Sequence, residues 1–280
     1  MMYGSKPTDG GYFLLTQEEK TEFLKKEPEA EKFIKPFISA KEFLNGGERY
    51  CLWLVDIQPN ELKKMPEILK RVEAVKKFRS ESVASSTRDY SSHTLFRQVT
   101  QPKSDYILVP RTTSENRRYI PLGFFTADNI VSDTCQAIPN GDLYLFGMLT
   151  STMHMTWVKY VCGRLKSDFR YSKDIVYNNY PFPETANDKQ KQKVETAAQA
   201  VLDTRAKYPD SSLADLYDPL TMPPDLVKAH QTLDKAVDLC YRPQPFVSEL
   251  NRIEYLFSLY EALSAPLLKV EKKKRVKKKE

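Results

Sequence analysis

The chain has 280 residues, enough for one large or two medium domains that each bury a core. No apolar run is long enough to cross a bilayer and the first residues lack a secretion-signal pattern, so we expect a cytoplasmic protein with no membrane partner. The net charge of +6 comes from residues 269–280, which hold eight basic and two acidic side chains, so any polyanion-binding surface in the neutral body requires unevenly placed cations.

The first third of the chain predicts short helices and strands after a loop or short strand pair. Thr16 followed by Glu19 has the spacing of a capping box, which opens a helix. Pro28 suits the first turn of a second helix, and Pro66 suits the start of a third with an apolar stripe. We predict helices over residues 16–27, 28–37 and 66–79, and a buried strand over residues 50–55.

The middle of the chain predicts strands joined by polar, basic connections. Residues 80–100 are rich in serine and threonine and read as a long loop, which includes Arg88 and Arg97. Strands are predicted over residues 106–109, 119–125 and 134–138. The connection between the first two carries Arg111, Arg117 and Arg118. Loops on a rigid scaffold commonly carry recognition residues, so these cations are candidate DNA contacts.

Residues 151–183 form the stretch around which the chain is organised. Asp142 caps a helix that leads into a second one, and the second has an apolar stripe that includes Trp157, interpreted as a core residue. Gly163 is expected to end this helix in the left-handed conformation. A strand is predicted over residues 175–177. Between Gly163 and this strand, basic residues alternate with aromatic ones, a pattern typical of phosphate binding. These cations are Arg164, Lys166, Arg170 and Lys173.

Each of these residues also has a structural interpretation. The basic stretch could be a solvated loop whose tyrosines pack into the core, and each arginine could be an exposed cation or half of a surface ion pair. His154, between two methionines, is more simply a hydrogen-bonded core histidine than a site residue. The four cysteines are far apart with no Cys-x-x-Cys pair and read as reduced thiols, so no metal site is predicted.

The remainder of the chain is predicted to be helical. Helices are expected over residues 189–208, 223–240 and 246–262. The fold class is therefore α+β, a mixed-sheet domain with helices followed by an all-α segment. We place the boundaries at residues 1–183 for the first domain, 184–264 for the helical domain and 265–280 for a basic tail expected to be disordered.

Several motifs, spread over nearly the whole chain, resemble the C-terminal part of MmeI-like type IIG restriction–modification enzymes, which are bacterial adenine-N6 DNA methyltransferases. The motifs include GSKPTDGGYFLL, RYCLWLVD, RVEAVKKFR, YIPLGF, LTSTMHMTWVKYVCGRLKSDFRYSKDIVYNNYPFPE and LDTRAKYPDSSLADLYDPLTMPPDLVKAHQTLDKAVD. The resemblance implies that residues 1–183 are a target recognition domain for double-stranded DNA. It also implies a helical domain that helps to clamp the duplex, and a methyltransferase domain elsewhere in a longer parent polypeptide.

The catalytic motifs of such a parent are not found in this sequence. An adenine methyltransferase holds the flipped base with an Asn/Asp-Pro-Pro-Tyr/Phe loop. Here Asn178-Asn179-Tyr180-Pro181 has the wrong order, and Met222-Pro223-Pro224-Asp225 lacks both the amide and the aromatic ring. We therefore expect no cofactor in this chain and S-adenosylmethionine in the parent's methyltransferase domain. Asp9 with Glu18-Glu19-Lys20 matches a nuclease spacing only superficially, because acids in the first turn of a helix favour its dipole.

Two other functions remain open from the sequence. The helical part could dock a separate catalytic subunit, which would make the chain a protein-interaction module with an incidental basic surface. An independent enzyme is the third reading, and the lack of a clustered His/Asp/Glu/Cys constellation in the sequence argues against it.

Overall fold

The computed structural model describes the backbone of residues 1–273 and the side chains of residues 1–265. The fold is α+β, as the sequence predicts, with three small sheets and a helical C-terminal part. In chain order the strands are β1 (Met2–Tyr3), β2 (Leu14–Leu15), β3 (Ile34–Ile38), β4 (Tyr50–Leu52), β5 (Tyr106–Pro110), β6 (Thr112–Thr113), β7 (Gly123–Phe125), β8 (Ile130–Val131), β9 (Cys135–Pro139), β10 (Gly163–Leu165) and β11 (Asp168–Arg170).

The helices lie mainly at the two ends of the described chain. In chain order they are α1 (Gln17–Lys26), α2 (Ala40–Asn45), α3 (Pro59–Leu62), α4 (Pro66–Ser80), α5 (Ser85–Arg88), α6 (Leu143–Leu149), α7 (Thr152–Val161), α8 (Asp188–Arg205), α9 (Leu213–Leu216), α10 (Pro224–Tyr241) and α11 (Glu249–Lys273). A 3-10 helix at Pro28–Phe33 and a π-helical turn at Lys173–Tyr177 complete the set within the described residues.

The structure separates into two compact units whose limits differ from the predicted division at residue 183. The first unit contains residues 1–111, 121–141 and 212–215, and the second contains residues 112–120, 142–211 and the described residues from 216 onward. Much of the region assigned to the recognition domain from sequence therefore folds together with the C-terminal helices. The division at residue 183 stays a prediction.

The first unit contains two four-stranded sheets, in the orders β1-β9-β5-β7 and β2-β4-β3-β8. Their ladders are antiparallel except for β3 with β8, which run parallel. The Thr16–Glu19 capping box is confirmed at the start of α1, and α4 begins at Pro66 as predicted. Residues on β2–β4 and α4 pack with Phe13 and Phe96 into one apolar core.

The predicted helix over residues 28–37 is wrong. The chain forms a 3-10 helix only to Phe33 and then enters β3. Pro36 has no N–H to donate and disfavours helical geometry at the residue before it, while Ile34 and Phe37 become buried on the strand. Of the predicted strand over residues 119–125, only Gly123–Phe125 pairs in a sheet.

The second unit is built around α8 and α10, which pack against each other and against α6 and α7. Gly147 on α6 lets α6 and α8 approach each other closely, because a Cβ at Gly147 would lie 2.7 Å from Val194 Cγ1 on α8. Trp157 is 2 % exposed, and its indole N–H donates to the carbonyl of Val176 at 3.0 Å, which agrees with its interpretation as core.

Three predictions in the second unit need correction. Residues 175–177 are part of the π-helical turn and not a strand, since the N–H of Asn178 donates to the carbonyl of Lys173 at 2.8 Å. Gly163 is not left-handed, because α7 ends at Cys162 in an extended conformation and Gly163 begins β10. The last helix continues to Lys273 instead of ending near residue 262. The rest of the predicted tail, residues 274–280, lies outside the described residues.

Candidate nucleic-acid interface

The basic stretch after α7 forms a hairpin, where the sequence predicted an irregular loop. β10 and β11 pair antiparallel through a turn at Lys166 and Ser167, and Lys166 has a left-handed φ of 55°. β11 also pairs with β6, which gives a three-stranded sheet in the order β10-β11-β6. We call this element the hairpin sheet. It places three of the predicted DNA contacts, Arg164, Lys166 and Arg170, on one rigid scaffold.

The two faces of the hairpin sheet differ in exposure. Phe169 on β11 lies opposite Arg164 on β10 and Thr113 on β6, and both Phe169 and Thr113 are 2 % exposed. The next pair along the ladder, Gly163 and Arg170, points to the other face, and both residues are exposed. One face of the sheet is therefore part of the core, and the other meets solvent.

Arg164 and Arg170 consequently point to opposite faces, although the sequence grouped them together. The guanidinium of Arg164 lies 3.9 Å from the centre of the Phe169 ring and donates to the carbonyl of Ser167 at 2.7 Å. It also lies 3.5 Å from the Glu115 carboxylate. Arg170 is exposed and has no ion-pair partner among the residues that the structure describes. Arg164 stabilises the hairpin, while Arg170 is available to a ligand.

The exposed face carries side chains of several chemical kinds. Arg170 lies between Gly163 and Thr112, and a Cβ added to Gly163 would meet no atom within 4 Å. Leu165 and Asp168 follow on the same face, and Leu165 is 48 % exposed. Arginine suits guanine, a carboxylate suits cytosine, and an aliphatic group suits the thymine methyl. The sequence-based candidates did not include Asp168, Leu165 or Thr112, which share this face with Arg170.

The connection after β6 lies beside the hairpin sheet and contains two more predicted contacts. The N–H of Glu115 donates to the Asp168 carboxylate at 3.4 Å, which ties this connection to β11. Burial lowers the pKa of Arg117, and the nearby carboxylates of Asp168 and Asp218 oppose that shift. Arg118, the next residue, is exposed. Arg117 is therefore half-buried near two carboxylates, whereas Arg118 is accessible to a ligand.

Lys173 begins the π-helical turn after the hairpin sheet and is paired with the carboxylate of Asp174. Lys173 is half-buried. Its ion pair with the neighbouring Asp174 was not predicted from the sequence.

The other three predicted contacts, Arg88, Arg97 and Arg111, belong to the first unit. Arg88 donates to the carbonyl of Ser82 at 3.3 Å, and Arg97 donates to that of Ser86 at 2.9 Å. Both bonds brace the loop between α4 and β5. Arg111 donates to the carbonyl of Asp133 at 2.9 Å and lies over the Tyr3 ring.

That loop has an anchor that the sequence did not reveal. Arg79, the next-to-last residue of α4, is 0 % exposed. Its guanidinium donates to four backbone carbonyls at 2.8–3.1 Å. The acceptors are Pro7, Thr8, Ser92 and Leu95. A basic residue in the last turn of a helix normally predicts only a favourable dipole interaction, so no sequence signal separated Arg79 from the exposed arginines.

The segments that superficially resemble catalytic motifs have structural roles. The Asn179 amide donates to the carbonyls of Asp174 and Ile175, and Tyr180 is 4 % exposed with its hydroxyl accepting from Tyr241. Pro224 begins α10. These residues do not fit the binding of a flipped base or of S-adenosylmethionine.

The nuclease-like spacing also has a structural explanation. Asp9 accepts from the N–H groups of Gly11 and Phe13 at 3.1 and 2.6 Å, and Glu19 accepts from the Thr16 N–H in the capping box. Within the described residues no group of histidine, cysteine and acidic side chains could hold a metal ion, and no helix is long and apolar enough to cross a membrane.

Comparison with known proteins assigns the chain to a class of recognition modules. A target recognition domain model matches residues 1–184, and a C-terminal domain model matches residues 186–268. Both models describe MmeI, and the chain belongs to the MmeI family.

Two relatives extend this assignment. The chain is 41 % identical over 263 residues to a protein named DNA methyltransferase A from Bacillus subtilis (strain 168), a match that covers 94 % of this chain and 30 % of the relative. It is 45 % identical to the type IIL restriction–modification enzyme MmeI solved in complex with DNA, with a TM-score of 0.91 over 94 % of this chain and 35 % of that one. The chain thus spans about a third of the length of these relatives.

Proposed function

We propose that this chain is the sequence-specific double-stranded DNA recognition region of a type IIG-like adenine-N6 DNA methyltransferase or restriction–modification enzyme. The parent's methyltransferase domain is then its covalent partner, and S-adenosylmethionine binds to that domain. The exposed face of the hairpin sheet carries the proposal, because Arg170, Asp168 and Leu165 share this side of an antiparallel ladder and the space at Gly163, opposite Arg170, is open. The similarity to an enzyme solved with DNA supports it.

The proposed contacts divide by role. Arg170, with Asp168 and Leu165, contacts base edges from the exposed face, which gives sequence discrimination. Lys166 at the turn and the neighbouring Arg118 contact phosphates, which gives affinity that depends steeply on salt. Arg88, Arg97, Arg111, Arg117 and Lys173 are proposed as secondary phosphate contacts. Arg164 is proposed to act mainly by keeping the hairpin in shape.

A binding titration tests this function. The purified chain is titrated with a labelled duplex of mixed sequence, starting at about 50 mM salt and rising in steps, since each phosphate contact adds to the salt dependence. We expect weak binding that falls steeply with salt, and weaker binding across all sequences for the double variant Arg118→Ala and Lys166→Ala, which removes the two proposed phosphate contacts. A chain that does not bind at the lowest salt, or a double variant that binds like the unmodified chain, contradicts the proposal.

A further inference from the structure

Asp234 on α10 accepts three hydrogen bonds from two separate segments of the chain. Its Oδ2 accepts from the hydroxyls of Tyr119 and Thr152 at 2.9 and 2.7 Å, and its Oδ1 accepts from the Thr152 N–H at 2.7 Å. Thr152 is the first residue of α7, so this N–H has no acceptor within the helix. A carboxylate at this helix end also interacts favourably with the dipole. Asp234 thereby joins α10 to the start of α7 and to Tyr119.

The position of Tyr119 is fixed on a second side by a buried histidine. The rings of Tyr119 and His230 stack with centroids 3.9 Å apart. His230 Nε2 lies 2.8 Å from the Tyr217 hydroxyl, whose oxygen accepts from Arg205 Nε at 2.6 Å. Because the Tyr217 oxygen accepts from both Nε and Nη2 of Arg205, its two acceptor sites are filled and its own proton is directed to His230 Nε2, which leaves the imidazole neutral. The Tyr119 ring therefore packs against a hydrogen-bonded polar network.

Tyr119 connects this network to one side of the hairpin sheet. Tyr119 directly follows Arg117 and Arg118 in the connection between β6 and β7. β6 pairs with β11 through Thr112 and Thr113. Movement of Tyr119 would therefore move the accessible Arg118 and strain the third strand of the hairpin sheet.

The other side of the hairpin sheet is attached to α7. His154 Nε2 lies 2.9 Å from the hydroxyl of Tyr171, the residue directly after β11, and Trp157 binds the carbonyl of Val176 just beyond. β10 follows α7 after the single residue Cys162. Both strands of the hairpin are therefore attached to α7, which Asp234 holds at its first residue.

We propose that Asp234 is a positioning residue for DNA sequence discrimination, which sets the placement of the hairpin sheet and of the Arg117–Arg118 connection from the C-terminal helical part. This inference rests on the proposed function. It gives the C-terminal helices a direct part in recognition, because the residue that aligns both contacting elements lies on α10 and touches no nucleic acid itself.

The chemistry of the three bonds makes Asp234→Asn a sharp probe. An ionised carboxylate accepts from all three donors through charge-assisted bonds. An asparagine keeps one acceptor oxygen for the Thr152 N–H, but its N–H₂ group requires both hydroxyls to reverse from donor to acceptor. It also removes the negative charge that lies at the start of α7. The volume of the side chain is unchanged, so the variant disturbs alignment more than packing. Asp238→Asn is the matched control, because Asp238 lies one turn later on α10 and pairs with Arg252 at 2.6 Å.

The experiment selects from a pool of duplexes with a randomised core, using the whole chain at low salt, and sequences the bound fraction. We expect the unmodified chain and Asp238→Asn to enrich one motif. We expect Asp234→Asn to reduce that enrichment by about tenfold, since misplaced base contacts remove discrimination, while binding to a fixed mixed-sequence duplex changes by less than about twofold. Asp234→Glu, which keeps the acceptors, should recover part of the enrichment.

Tyr119→Phe provides a second variant if Asp234→Asn does not fold, because it removes one bond to Asp234 and keeps the ring on His230. It should lower the enrichment in the same direction. Enrichment retained in both variants, or lost equally in Asp238→Asn, overturns this inference alone. An unmodified chain that binds duplex DNA but enriches no motif contradicts the proposed function and this inference with it.

Discussion

Arg170 lies opposite Gly163 on the exposed face of the hairpin sheet, so the guanidinium has a neighbouring strand position without a side chain. A base edge could approach the cation there without meeting another residue. This geometry separates Arg170 from Arg164, which lies over the Phe169 ring on the opposite face. The two arginines should therefore respond differently to substitution.

Replacing Arg170 with alanine should remove a base contact. We expect the preference at one base pair of the selected motif to fall by about 1–3 kcal/mol, with a small effect on non-specific binding. Fluorescence anisotropy with the motif and its single-base variants measures this. Lys235→Ala, an exposed change on α10, is the control for a general loss of charge. A uniform loss at every sequence would instead identify Arg170 as a phosphate contact.

Gly163→Asp tests the same face without removing any cation. Because a Cβ at Gly163 meets no atom within 4 Å, the free energy of unfolding should change by less than about 0.5 kcal/mol. A carboxylate opposite Arg170 would attract its guanidinium and repel phosphate, so DNA affinity should fall about fivefold or more. Gly163→Ala should bind like the unmodified chain. Equal binding by both variants would show that DNA does not approach this face.

The sequence was most informative where a local signal decides the structure. The Thr16–Glu19 capping box marks the start of α1, because its side chains accept from N–H groups that have no acceptor in the helix. Pro66 marks the start of α4, because proline has no N–H that would need an acceptor there. The hairpin was missed because its turn, Lys166–Ser167, contains no glycine or asparagine, and a lysine at a φ of 55° has no turn signature.

The tertiary relationships could not be predicted from local pattern. Tyr119 and Asp234 are 115 positions apart, and the sequence near Tyr119 does not predict that its hydroxyl donates to a carboxylate on α10. Arg79 looks like any basic residue in a last helical turn, yet it is buried. The candidate cations could therefore be found from the composition of the sequence. The residues that hold them in place could be identified only from their contacts in the fold.

Arg79→Met should be strongly destabilising. The change keeps an apolar stem but leaves four backbone carbonyls without their donor, so we expect unfolding free energy to fall by about 3–5 kcal/mol. Urea denaturation measures the loss. Arg71→Met is the matched control, because Arg71 lies on the same helix and donates one bond, to the Tyr12 carbonyl, and it should lose less than about 1.5 kcal/mol. Similar losses would contradict the anchoring role.

Stability should fall as the pH is lowered below about 6.5, because two buried histidines remain neutral in the folded state. Burial lowers the pKa of His154 to about 3, and burial together with Arg205 lowers that of His230 well below its usual value. The unfolded chain then binds more protons than the folded one, and each histidine contributes up to about 1.4 kcal/mol of lost stability per pH unit.

Urea denaturation at several pH values between 7.5 and 5 measures this slope, and His154→Gln isolates one histidine. Burial raises the pKa of Asp234, so that carboxyl takes up a proton first in the folded state and offsets part of the loss in both proteins. The two proteins are therefore compared by the slope of their unfolding free energy against pH. Below about pH 6 the slope for His154→Gln should be smaller than that for the unmodified chain by up to about 1.4 kcal/mol per pH unit. Parallel curves would mean that His154 is protonated in the folded protein, contrary to its burial beside Tyr171.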